Sequence, residues 1–278
     1  MAIFLGLITA FCFGSGDFFG GLSTKKTSVL NVVAFSHFVG LFTVVILAPF
    51  LADSFSWSDV GLGAIAGILG GLGVIGLYRG LATGPMAVVA PLTAVASAAF
   101  PAIWGTLSGE SLSGLAWIGI LIALVAIALS SMPSNVSAAG VTINTIVESL
   151  AAGVGFGAMF ILFDLTSADS APWPVVGARA TTSAALLLFV LLIRKVDLDE
   201  VRPAAGLIII TGLFDTGSNV IFLFATALGD LSVVAVLSSL YPISTVILAR
   251  FVLDERMSKL QLTGLALALF ATVLIALG

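Results

Sequence analysis

Ala82-Thr83-Gly84-Pro85-Met86-Ala87-Val88-Val89-Ala90-Pro91-Leu92 returns 145 residues later as Ala227-Leu228-Gly229-Asp230-Leu231-Ser232-Val233-Val234-Ala235-Val236-Leu237. Ala82, Gly84, Val88, Val89, Ala90 and Leu92 all fall on identical residues. The register holds without a gap through Glu110 and Glu255, Ser113 and Ser258, Gly119 and Gly264, Ala126 and Ala271, to Leu129 and Leu274. The basic residues do not follow it: Gly105, Ser111 and Gly114 become Arg250, Arg256 and Lys259. A repeated apolar skeleton with a one-sided basic decoration is the pattern of one unit set in a membrane twice, inverted the second time. Inverted repeats of that kind build secondary transporters.

Composition agrees. Hydrophobic residues make up 60% of the chain, charged residues 9%, and mean hydropathy is +1.25, whereas soluble domains carry about 25% charged residues. Apolar stretches of about 20 residues are long enough to cross a hydrocarbon core roughly 30 Å thick as helices. The 30 glycines and the absence of short polar/apolar alternation favour helices over a barrel. One cysteine, Cys12, allows no internal disulfide and no cysteine-built metal site. No cofactor or metal is implied, and a net charge of -4 argues against nucleic acid as a partner. The first apolar run has no basic region before it and no small-residue cleavage site after it, so it reads as a retained span.

The sequence predicts an all-α integral membrane protein of about ten transmembrane helices, near 2–21, 29–50, 59–79, 87–107, 112–131, 143–165, 172–194, 203–226, 231–251 and 259–277. Residues 1–134 form the first five-helix repeat and 140–278 the second, with Pro133-Ser134-Asn135 in the hinge between them. Nine of the ten lysines and arginines fall in or beside odd-numbered loops: Lys25, Lys26, Arg79, Arg194, Lys195, Arg202, Arg250, Arg256 and Lys259. Because cytoplasmic loops carry the excess of Lys and Arg, the odd loops are expected in the cytoplasm and both termini outside.

The run Tyr78-Arg79-Gly80 through Leu92, followed by Gly109-Glu110 and Gly119, resembles the third-to-fifth-helix signature of EamA-type members of the drug/metabolite transporter superfamily. Phe224-Ala225-Thr226-Ala227 through Tyr241-Pro242, with Asp254-Glu255 and Gly264, resembles it again. The resemblance implies ten helices, two inverted halves, a central cavity in the cytoplasmic membrane, and movement of small metabolites, often amino acids or their relatives. Relatives are usually drawn with both termini in the cytoplasm; the loop charges here argue the reverse.

Ionisable groups inside a span cost at least about 2.5 kcal/mol at the bilayer centre, so each needs a partner, a hydrated cavity or a role. Asp17 and His37 lie within about one turn of each other in depth and can pair, linking a proton to substrate movement. The plainer reading has His37 donating to a neighbouring helix and Asp17 facing the cytoplasmic rim. Arg179 and Asp215 are close enough in depth for the guanidinium to reach the carboxylate, either as a helix-locking ion pair or, if Arg179 is free, as a clamp for a substrate carboxylate. Asn219 and Ser218 add polar groups one turn beyond Asp215. Tyr78, Trp104 and Tyr241 are candidates for stacking on a ligand, against the interfacial role usual for membrane aromatics. Glu110 and Glu255 read as caps on the free amides of the next helix. Pro91, Pro101 and Pro242 predict kinks in the fourth and ninth spans.

No Walker-type glycine-lysine loop is present, so nucleotide-driven transport is not expected. A membrane sensor or scaffold subunit is the alternative. An intramembrane enzyme fits poorly with one histidine, one cysteine and no HExxH or paired-aspartate motif.

Overall fold

In a computed structural model the described residues are 1–83, 86–130, 142–193, 198–254 and 257–278; the side chains at 75, 78–83, 86–88, 90, 91, 190–193 and 198 also lie outside the description. Among these residues the chain is helical and contains no strand. The helices are α1 (Ala2–Thr24), α2 (Val29–Leu51), α3 (Trp57–Thr83), α4 (Met86–Leu107), α5 (Gly114–Ser130), α6 (Ile143–Asp164), α7 (Trp173–Ile193), the single turn α8 (Leu198–Val201), α9 (Ala205–Thr226), α10 (Leu231–Ser238), α11 (Tyr241–Val252) and α12 (Lys259–Leu277). Seven described helical stretches are long and apolar enough to cross a membrane, and Leu92–Leu107 and Gly114–Ser130 are shorter apolar helices.

Helix starts are set by short polar side chains. Ser28 Oγ accepts from the Asn31 amide, Thr142 from Thr145, and Ser258 from Gln261 in a reciprocal capping box. The α4–α5 and α11–α12 turns each contain a residue in the left-handed region, Gly109 with φ 105° and Asp254 with φ 56°. These two positions are 145 residues apart.

The ninth span differs from the expected single helix. It is interrupted at Ser239 and Leu240, and Pro242 lies in the first turn of the segment that resumes. A proline has no amide to offer the carbonyl one turn back, so the first segment ends where that bond is missing. Its counterpart α4 runs unbroken through Pro101.

Packing between the halves is reciprocal. α1 lies on α9 as α6 lies on α3, α1 meets α10 and α11 as α6 meets α4, and α2 lies on α9 as α7 lies on α3. α5 crosses α12 at paired glycines. A methyl at Gly119 would lie 3.0 Å from the Ala271 carbonyl oxygen and 3.1 Å from the Ile275 amide; one at Gly264 would lie 2.9 Å from the Ala126 oxygen and 2.7 Å from the Ser130 amide. Small residues here let backbones touch, which is what helix association requires where lipid gives no hydrophobic advantage. Large side chains such as Phe42, Leu121 and Leu269 point outward instead.

One set of loops is stitched across the halves by two carboxylates. Asp59, at the start of α3, accepts from Ser170 Oγ at 2.6 Å and from the Ser167 amide at 3.3 Å. Glu110 accepts from the Leu231 and Ser232 amides at 2.7 and 3.2 Å.

Candidate functional site

A cavity of about 190 Å³ lies between the halves. It is smaller than the roughly 300–1,000 Å³ used by drug-sized ligands. Both halves line it. Eight of the expected spans line it, all but the fifth and tenth, with His37 contributed by α2 and Arg179 and Thr182 by α7. Its walls are mostly apolar, with Phe13, Phe156, Met159 and Phe160 lining it together with glycines 67, 70 and 71 of α3. Sequence reasoning passed over Phe13, Phe156, Met159 and Phe160 because nothing separates them from lipid-facing residues. Thr182 was reachable, since a residue three beyond Arg179 shares its helix face.

The polar centre is built on Asp215. Arg179 Nη2 lies 2.9 Å from Asp215 Oδ2 and also donates to the Asp215 backbone carbonyl at 3.2 Å. That carbonyl receives two further bonds, from Ser218 Oγ at 2.6 Å and Asn219 Nδ2 at 2.7 Å. The side chains one turn along α9 thus fix the carbonyl that holds the arginine. With 8% of its side chain exposed, Arg179 is a buried cation whose partner is half-buried at the cavity wall. It is not a free carboxylate clamp.

His37 does not pair with Asp17. Its Nδ1 is 3.0 Å from Thr182 Oγ1 and its Nε2 is 3.7 Å from Asp215 Oδ2. α2 packs on α7 and α9 and scarcely touches α1, so equal depth does not bring the two residues face to face. Asp17 lines the cavity from α1, where a methyl on the preceding Gly16 would sit 3.3 Å from the Asp215 amide. Asn219 and Tyr241 also line it.

Trp104 does not. It shares the azimuth of Ser97 but lies two turns, about 10.5 Å, further along α4, beyond the cavity and 42% exposed. Tyr78 falls on α3 with its side chain outside the described residues, and Glu255 lies outside them altogether. Glu110 caps amides, but those of α10 in the other half and not those of the next helix. Ser113 already occupies the local site, accepting from the Ala116 amide, and so leaves Glu110 to reach across.

Residues 1–132 and, separately, 144–277 match the EamA-like transporter family. The chain belongs to that family. The EamA-like family is part of the drug/metabolite transporter superfamily, and its members are multi-pass membrane transporters of small molecules. A solved structure titled "Crystal structure of protein" has the same fold, with a TM-score of 0.77 at 19% identity over 99% of this chain and 96% of that one. No curated protein matches the sequence significantly.

Proposed function

We propose that this EamA-like protein is a secondary transporter of small metabolites, amino acids or related compounds, moving them across the cytoplasmic membrane by alternating access. Two inverted five-helix repeats, residues 1–134 and 140–278, rock about the central cavity. The observation that carries the reading is a cavity lined from both halves around the Arg179–Asp215 ion pair. Reciprocal helix packing and the paired glycines of α5 and α12 support the inversion. The Asp59 and Glu110 stitches lie on even-numbered loops, which suits a molecule held shut on one face while substrate enters from the other.

Purified protein in proteoliposomes is expected to exchange metabolites of amino-acid size without nucleotide. An imposed pH gradient would drive net flux if protons are coupled through Asp17, His37 or Asp215. Exchange no faster than in empty vesicles across an amino-acid and amine panel would end the transport reading. Indifference to the gradient in both wild type and Asp17→Asn would remove the coupling and leave facilitated diffusion.

Loop charge places odd-numbered loops in the cytoplasm and both termini outside. Alkaline phosphatase fused after Gly278 should therefore be active and a fluorescent protein at the same point dark. The opposite pattern would reverse the orientation.

A further inference from the structure

We propose, building on the transport reading, that the cavity selects an organic cation: an ammonium group on an apolar, ring-sized body, with Asp17 as its counter-charge. The charge inventory of the described lining carries this. Arg179 is matched by Asp215, which it engages through both carboxylate and carbonyl. Asp17 has no hydrogen-bond or ion-pair partner among the described residues, and more than a third of it is open in the cavity. His37 also lies on the Asp215 side, 3.7 Å from its Oδ2, so Asp17 is the one carboxylate of the described lining without a basic partner.

A carboxylate left alone at membrane depth is costly, and an entering ammonium relieves that cost where an entering carboxylate adds to it. A carboxylate ligand would also have to share Arg179 with Asp215, which already holds its Nη2 through both carboxylate and carbonyl.

The rest of the cavity suits the same ligand. Phe13, Phe156, Phe160 and Tyr241 present rings to it, and aromatic faces attract cations. Asn219, only 3% exposed, holds its amide oxygen buried without a partner, an acceptor for an ammonium N–H. Arg179 Nε–H is likewise unpartnered and suits a neutral acceptor on the ligand body.

The test uses the full chain in nonionic detergent at pH 7 and three probes of similar shape: phenethylamine, phenethyl alcohol and 3-phenylpropionate. Titration calorimetry is expected to show phenethylamine binding at least about tenfold more tightly than the other two. Asp17→Asn should lose about that factor for phenethylamine and little for the alcohol, while Asp17→Glu retains it. Asp17→Asn removes an unpaired charge, so its thermal midpoint should be unchanged or raised.

Equal or tighter binding of 3-phenylpropionate to wild type overturns the proposal, as does undiminished phenethylamine binding in folded Asp17→Asn. The first comparison needs no variant. Asp17-dependent binding without flux in vesicles would leave the cation site standing and strike the transport reading. Flux of 3-phenylpropionate without binding of phenethylamine would do the reverse.

Discussion

Replacing Arg179 by Met is expected to be the most damaging single change in the cavity, costing up to about 3 kcal/mol of stability, the lower end of the range for breaking a fully buried ion pair, because Asp215 is half-buried. Met fills similar space, so the loss is chiefly electrostatic. Without the guanidinium, Asp215 and Asp17 are two carboxylates lining one small cavity. The reverse change, Asp215→Asn, should be milder. It leaves the Asp215 carbonyl and its bonds from Arg179, Ser218 and Asn219 in place. It also leaves Arg179 opposite Asp17, so the cavity keeps one charge of each sign.

Combining Arg179→Met with Asp215→Asn removes both charges and should recover much of the stability lost in Arg179→Met while leaving transport impaired. Thermal midpoints in detergent for the four proteins give the cycle. If Arg179→Met proves no more damaging than Asp215→Asn, the inventory that leaves Asp17 uncompensated is wrong.

The helices and the Arg179–Asp215 contact were legible in the sequence for one physical reason. In a membrane each span must satisfy its own backbone, so spans declare themselves by length and apolarity, and a charge inside one must find a partner. What the sequence concealed was azimuth. Counting from the span ends gave Asp17 and His37 a common depth, but which way each helix turns depends on neighbours that are far away in sequence. His37 turned toward α7 and α9, and Asp17 was left facing the cavity alone.

Glu110 shows the same limit at a loop. The local rule, a carboxylate near a helix start, was right about the kind of bond and wrong about the helix, because Leu231 lies 121 residues away. Pro101 and Pro242 look alike as text. Only one helix breaks, since a missing amide permits either a continuous bend or an interruption, and packing chooses between them.

The seam between α3 and α7 sets up the other large effect, because it holds Arg179 where Asp215 can reach it. A methyl on Gly67 would lie 2.8 Å from Ala178 Cα and 3.0 Å from its carbonyl carbon; one on Gly63 would lie 2.6 Å from the Pro174 carbonyl carbon. These are backbone atoms. No rotamer change can yield to them, so α7 must move bodily away from α3. Overpacking of this kind costs about 1–3 kcal/mol per site, more than the up to about 1 kcal/mol that Ala returns over Gly in a helix. The double variant Gly63→Ala/Gly67→Ala is thus expected to express poorly or melt well below wild type. Any folded fraction should bind and transport weakly, because Ala178, which gives way, directly precedes Arg179.

Gly61→Ala on the same helix is the contrast, since a methyl there meets nothing within 4 Å. It should melt at or above the wild-type temperature. Equal melting of Gly61→Ala and Gly67→Ala would mean that α3 and α7 are not in contact at this seam, and the position of Arg179 would need another explanation.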